Sequence, residues 1–449
     1  MLRALRRIRR ADHARHAICS SEPIGTALQA SPALRAEVHA LLLRHLKQGY
    51  SGLLGQEFCY IAPAPERYPF QWFWDSCFHV FMLVRLAQLD LAKRALRSLF
   101  AMQNANGFVG HMVFWRQVLP SRLTDIVQAR PSWQDLRPHM SALIQPPFAA
   151  QALERLYHAS GDHVYLGELY ARVRRHHEWL ARERDFDGDG LLTLISPFES
   201  GMDWKPSYDP VLRNGRRRTP RRFYSSEYFW RAVSVDLHNF ARRYDLGRIR
   251  RRAHFLVKDA GFNTVYALDL AAMERLAVEA GDDPAPFAAR RRRVAAAILA
   301  RMYDERDGAF YDLCEPGGRK LRILTPTALF PLALDEVDDA KAERLVREHF
   351  HNPREFATEL PMPTVAVDDP AFTPGPSWFI WRGPTWAFPN WFLYHALKRR
   401  GFAGEARTLR EALRQAVARS GFREYYHPRT GEGYGASDFT WSGLLLDMD

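Results

Sequence analysis

Apolar residues recur three and four positions apart along most of the chain, and the two-residue alternation of β-branched side chains is sparse. That pattern predicts helices at about 31–49, 73–88, 89–104, 146–160, 164–184, 223–243, 263–280, 284–303, 338–350, 384–400, 403–419 and 437–446. Several boundaries are chemically legible. Gly161 followed by Asp162 closes one helix and caps the next, Asp283 followed by Pro284 opens another, and Gly401 ends the helix before it. Short connections make neighbouring helices antiparallel hairpins. Hairpins joined by alternating short and long connections predict an all-α toroid, with an inner ring around a central pocket and an outer ring sealing it. No Gly-, Ser- or Pro-rich linker divides 31–449, so this stretch is read as a single catalytic domain, preceded by a basic N-terminal appendage at 1–30.

Composition narrows the function classes. With 47% hydrophobic and 25% charged residues the chain is an ordinary globular one, and no apolar run approaches the roughly 20 residues that cross a bilayer. The segment MLRALRRIRRADHARHA has the charge of a targeting region but lacks the apolar stretch that follows one, so a cytoplasmic location is expected. The net charge of +12 comes from abundant Arg with little Lys. Its runs at 216–218, 248–252 and 290–293 lack interleaved aromatics, and no nucleic-acid partner is expected. Cys19, Cys59, Cys77 and Cys314 show no metal-binding or disulfide spacing, and Cys77 reads as a small buried apolar residue. No membrane contact, cofactor or oligomer is predicted.

The long connections at about 105–145, 187–222, 352–383 and 421–436 carry the chemistry, being rich in Trp, Tyr, Pro and Gly in a chain that is 13% aromatic. Flat apolar faces with polar edges suit the alternating C–H and hydroxyl surface of a sugar. Aromatics meet an acid or an arginine in four places: around Trp74 and Asp75, around Glu199 and Asp203, from Trp381 to Trp386, and around Glu424 and Tyr425. A glycosidic bond needs two carboxyl groups, one protonating the leaving oxygen and one activating water or attacking the sugar. Asp203 and Glu424, about 220 residues apart, supply such a pair, with Glu199, Asp209, Asp75 and Glu432 competing for the same roles.

The segments FWDSCFH, IQPPFAAQAL, DGDGLL followed by ISPFESGMD, WRGPTWAFPNWFLYHAL, EYYHPRTGEG and FTWSGLLLDM stand in an order and spacing that resembles the catalytic domain of glycoside hydrolase family 63, over about residues 68–447. The resemblance implies an (α/α)6 barrel, cleavage of α-glucosidic or related bonds with inversion, and no redox cofactor. It implies Asp203 as general acid and Glu424 as general base, with Trp74, Asp75, Gln145, Trp381, Arg382 and Gly383 binding sugar. His111, Trp204, Trp386, Tyr425 and His427 are further candidates. The short form is similar to bacterial members acting on glucosylglycerate or mannosylglycerate. Inversion leaves room for a water, so the two carboxyl groups are expected roughly 6.5–9.5 Å apart. The chain departs from the family pattern at Trp204 and Lys205 after ESGMD, at Ile380 before WRGP, and at Phe439, which puts recognition of the leaving group in question.

Other readings stay open at this point. A trehalase-like disaccharide hydrolase shares the barrel and a similar acid pair, and a non-catalytic sugar-binding protein could retain the toroid. Asp185, Asp187 and Asp189 start like a calcium loop, but Ser196 stands where a glutamate ligand belongs, so a tight turn and no metal site is expected. Asp236 is read as a buried structural acid.

Overall fold

Ser31, Asp162, Asp245, Asp259 and Asp338 cap the helices that follow them, each side chain accepting from a backbone N–H. A computed structural model describes residues 31–52, 55–115, 140–212 and 227–449. The appendage at 1–30 and the Arg run at 216–218 lie outside them. In chain order the helices are α1 (Pro32–Arg44), α2 (Phe73–Arg85), α3 (Leu89–Ala101), α4 (Ala149–Ser160), α5 (His163–Arg184), α6 (Glu227–Ala241), α7 (Leu246–Arg252), α8 (Ala260–Glu279), α9 (Ala285–Ala297), α10 (Asp339–Leu345), α11 (Ala387–Arg399) and α12 (Ala403–Ser420), with one further turn at Asp209–Leu212. Gly161 ends α4 in the left-handed region, and the Asp162 carboxylate accepts from the Tyr165 N–H to start α5.

The inner elements are apolar nearly all round. From Phe73 to Leu83 every residue of α2 is buried, as is every residue of α8 from Ala260 to Met273. The outer helices bury one face: α12 buries Ala406, Leu409, Leu413, Ala416 and Val417 and leaves its charges outside. Contacts between inner elements close on themselves. Helix α2 packs on α4, α4 on α8, α8 on the 3₁₀ turn Phe330–Ala333, that turn on α11, α11 on the 3₁₀ helix Thr440–Asp447, and that helix back on α2. Outside them α3 backs α2, α5 backs α4, α9 backs α8, α12 backs α11, and α1 backs Thr440–Asp447. One hydrophobic cluster runs from Val38 to Met448.

Asp447 closes the circuit. Its buried carboxylate meets Arg155 of α4 at 2.5 Å, Arg85 of α2 at 3.0 Å and the Trp391 indole N–H of α11 at 3.0 Å. Burial works against its charge, yet Arg155, His395 and Arg85 hold it well below the ordinary carboxylate range.

The chain is mainly helical, but short antiparallel pairs replace part of what was expected as all-α. The helix predicted over 31–49 stops at Arg44, and Leu46–Ser51 (β1) pairs with Gln56–Ile61 (β2). Gly49 is a poor helix former and weakens the last turn of the predicted span. The connection at 421–436 contains Arg423–Tyr426 (β3), paired with Gly433–Ser437 (β4). Among the described residues no helix is long and apolar enough to cross a membrane.

Candidate active site

A pocket of about 500 Å³, solvent at its mouth included, opens within the inner elements. Trp74, Asp75, His111, Gln145, Trp381 and Trp386, all singled out from sequence, line it together with Asp203.

Asp203 sits on a loop fixed from both sides. Four residues before it, Glu199 is fully buried and accepts from Arg184 at 2.9 and 2.5 Å, from the Ile195 N–H at 2.8 Å and from the Ile144 N–H at 3.1 Å. Gly201 has φ +72° and lies against the Trp74 indole, where a Cβ would run into the ring. Two residues after the acid, Lys205 is buried with its ammonium 2.6 Å from Asp259, 2.8 Å from Asp312 and 2.8 Å from the Thr327 hydroxyl. Burial opposes the Lys205 charge, but the two carboxylates raise its pKa above the ordinary value. Asp259, although buried, is held low by Lys205. Asp312 is pushed up by burial and by the charge of Asp259.

Glu424 belongs to β3, at an irregularity in its pairing with β4. Its side chain folds over Gly435, at φ +70°, where any Cβ would collide with the carboxylate. The carboxylate is wholly buried and accepts three bonds: from Tyr68 Oη at 2.6 Å, from Arg67 at 2.8 Å and from the Ala436 N–H at 2.7 Å. Tyr68 lines the pocket. Its phenol is pushed well above the ordinary range by burial and by Glu424, with Asp203 adding to the effect, so one pocket-lining ring lies within the electrostatic reach of both carboxyl groups.

The floor is aromatic and polar by turns. Asp75 accepts from the Trp441 indole N–H at 2.5 Å, and burial raises its pKa to about 7. The Gln145 amide oxygen accepts from the Trp74 backbone at 3.2 Å. His111 shares a 2.6 Å bond with the Ser141 hydroxyl, and burial lowers its pKa to about 3, which keeps the ring neutral. Trp381 stacks on Trp386 at 4.1 Å and 9°, and Trp386 stacks on Tyr425 at 5.4 Å, so Tyr425 backs the wall between the floor and the strand of Glu424.

Other sequence candidates lie farther out. Arg382 is buried in a two-pronged pair with Asp209, at 3.0 and 2.5 Å. Gly383, at φ +128°, lies against the Thr373 and Pro374 backbone and donates to the Thr364 hydroxyl at 2.9 Å. Trp204 takes a left-handed φ of +68° and stacks on Phe229 at 5.6 Å. The His427 ring accepts from the Arg429 and Thr430 N–H groups at 3.3 Å, a turn-forming role. Of the competing acids, Glu199 and Asp209 are engaged by arginines and Glu432 is tied to Tyr434 at the surface. Asp236 is fully buried on α6, and burial pushes its carboxyl well above the ordinary range.

Arg67 and Tyr68 were missed from sequence, since they stand in Pro-rich text outside every quoted motif, and an Arg-Tyr pair upstream of FWDS was the one available signal. Trp441 lay inside a quoted motif without a role. The acids of the calcium-like turn are neutralised by Lys258, at 2.7 Å from both Asp187 and Asp189, and by Arg293 on Asp185. Among the described residues no cluster of His, Cys, Asp and Glu could hold a metal.

Residues 68–442 match the model of the mannosylglycerate hydrolase MGH1-like glycoside hydrolase domain. A mannosylglycerate hydrolase of Rubrobacter radiotolerans is 32% identical over 415 residues, covering 87% of this chain and 92% of that relative. A glucosylglycerate hydrolase of Mycolicibacterium hassiacum is 28% identical over 423 residues, covering 85% and 92%. The crystal structure of a GH63 mannosylglycerate hydrolase from Thermus thermophilus superposes with a TM-score of 0.80 at 27% identity, covering 92% of this chain and 99% of that one. The chain, matched by the family model over residues 68–442, therefore belongs to the MGH1-like glycoside hydrolase family, of the GH63 type.

Proposed function

We propose that the protein is an inverting α-glycoside hydrolase that releases a terminal sugar, glucose in the first instance, from a small α-glycoside. The inner and outer elements are read as an (α/α)6 barrel, and 31–449 as one catalytic domain. Asp203 is the general acid and Glu424 the general base. Glu424 draws a proton from a water, the water oxygen attacks the anomeric carbon, the glycosidic C–O bond breaks, and Asp203 passes its proton to the departing oxygen. Trp74, Asp75, Gln145 and Trp381 hold the sugar, while Arg382 and Gly383 shape the wall behind it. The free thiols Cys59 and Cys77, both buried, suit a reducing cytoplasm.

The observation that carries this reading is Tyr68, which lines the same pocket as Asp203 and bonds Glu424 at 2.6 Å. The printed activities of the relatives, mannosylglycerate and glucosylglycerate hydrolysis, set the first substrates to try. The test is sugar release from glucosylglycerate, mannosylglycerate, trehalose, kojibiose, nigerose, maltose and isomaltose, followed by NMR of the nascent anomer. Wild type is expected to release the β-anomer first, and Asp203→Asn and Glu424→Gln to lose release by about 10² to 10⁴-fold. Nascent α-anomer, or full activity in either variant, overturns the assignment.

A further inference from the structure

Asp203 sits in a turn that its own sequence disfavours. The Lys205 N–H donates to the Met202 carbonyl at 3.2 Å and closes a four-residue turn with Asp203 and Trp204 at its centre. Trp204, the second central residue, has φ +68°. Turns with a left-handed backbone at that place take Gly or Asn there, because a Cβ is strained in this region and a bulky side chain more so. Such a conformation persists only where its surroundings over-determine it, and conformations of this kind gather at functional sites.

Two anchors hold the turn. One is the Lys205 ammonium, tied to Asp259, Asp312 and Thr327. The other is the buried Trp204 indole, clamped by three segments. It meets Phe198 of the acid loop edge-on at 5.1 Å, stacks on Phe229 of α6 at 5.6 Å, and meets Phe379, shortly before Trp381, at 5.5 Å. Phe198 lines the pocket, as does Ile380 beside Phe379, so the indole packs behind the wall on which Asp203 stands. Without the ring, the backbone at 204 favours negative φ, and that rotation turns the chain carrying Asp203 relative to the anchored Lys205. Resting on the hydrolase reading above, we propose that Trp204 is a positioning residue for the general acid: its clamped ring holds the left-handed turn that presents Asp203 to the pocket. Trp204 acts through Asp203 and not by contact with substrate.

The test separates the acid step from the rest of the reaction. Fluoride leaves an α-glycosyl fluoride as the anion and takes no proton from Asp203, whereas a sugar or glycerate needs one. The probes are α-glucosyl and α-mannosyl fluoride and, from the panel above, the glycoside that wild type hydrolyses fastest. Trp204→Ala removes the ring and leaves a Cβ in the left-handed region. It is expected to lower kcat about 10- to 100-fold on the glycoside and less than about threefold on the fluoride. Trp204→Gly removes the ring but suits the backbone, and is expected to regain about threefold or more of the glycoside loss. Trp204→Phe, which keeps a ring, is expected to regain at least as much. A purely structural role would lower both substrates together. Equal losses on glycoside and fluoride, an unchanged glycoside kcat in Trp204→Ala, or a Trp204→Gly enzyme no better than Trp204→Ala overturns the proposal. Should Trp204→Ala fail to fold, a glycoside-to-fluoride ratio unchanged from wild type in Trp204→Gly overturns it. Wild-type turnover of the fluorides alone leaves no acid step to serve and overturns it as well. Absence of turnover on the fluorides and on every glycoside overturns the hydrolase reading with it.

Discussion

The two carboxyl groups assigned to catalysis are held in opposite ways. Asp203 is placed through its backbone: Glu199 and Lys205, on either side of it, are locked into buried ion pairs with Arg184 and with Asp259 and Asp312, and the acid rides on the loop between them. Glu424 is placed through its own oxygens, which accept from Tyr68, Arg67 and the Ala436 N–H. The difference matches the tasks. An acid that must give up and regain a proton gains from a rigid mount, whereas donors on both oxygens of a base fix the direction from which it meets a water.

The sharpest way to break the comparison is to remove each carboxylate and vary the leaving group. Fluoride departs without protonation, so Asp203→Asn is expected to keep most activity on an α-glycosyl fluoride while losing about 10² to 10⁴-fold on a sugar or glycerate leaving group. Glu424→Gln is expected to lose comparably on both. Equal losses in the two variants on fluoride would remove the distinction between the walls.

The mounts themselves should differ in what they stabilise. Lys205→Met leaves Asp259 and Asp312 buried together without their cation, a change expected to cost about 3–5 kcal/mol of folding stability. Replacing Asp259 and Asp312 by Asn along with it should recover part of that loss, read as the midpoint of urea unfolding. On the base side the loss is shared. Tyr68→Phe removes one of three bonds to a buried carboxylate, with kcat expected to fall roughly 10- to 100-fold and stability by about 1–3 kcal/mol. A Tyr68→Phe enzyme with wild-type kcat and a lowered midpoint would make the phenol a structural group only.

How much of this was legible in the chain follows the same division. Helices with an apolar stripe declared themselves, since spacing and caps are local. The elements that complete the inner circuit were harder. Pro326 and Pro331 interrupt any helical pattern around Phe330–Ala333, and only packing on α8 and α11 gives that turn its place. Glu199, Gly201, Asp203 and Lys205 are neighbours in sequence, so the loop carrying Asp203 could be delimited, whereas Lys205 read only as a departure and its partners Asp259 and Asp312 could not be inferred. The base wall was half hidden. Glu424 could be named from its motif, but Arg67 and Tyr68 reach it from more than 350 residues away, and no local pattern signals such a contact. Arg382 shows the converse, a motif residue whose partner, Asp209, is 173 positions distant and could not be inferred.

Asp75, on the pocket floor, tests the idea through pH alone. It is buried like Glu424 but is met by the indole N–H of Trp441 rather than by a guanidinium, and its pKa rises to about 7 from an ordinary 3.8. The folded state therefore holds a proton that the unfolded chain has released between those two values. The stabilisation this provides is fully present below about pH 3.8 and is lost as pH rises to about 7, with a slope of at most roughly 1.4 kcal/mol per pH unit. His79, His111 and His176, each lowered to about 3 by burial, act with the opposite sign over part of the same window, so the informative quantity is the difference between wild type and Asp75→Asn. The stability of Asp75→Asn relative to wild type is expected to improve steadily from pH 4 to pH 7 and then level off. A flat difference would mean that the Trp441 bond alone keeps Asp75 charged, and that one well-placed neutral donor does on the floor what a cation, a phenol and a backbone amide do together for Glu424.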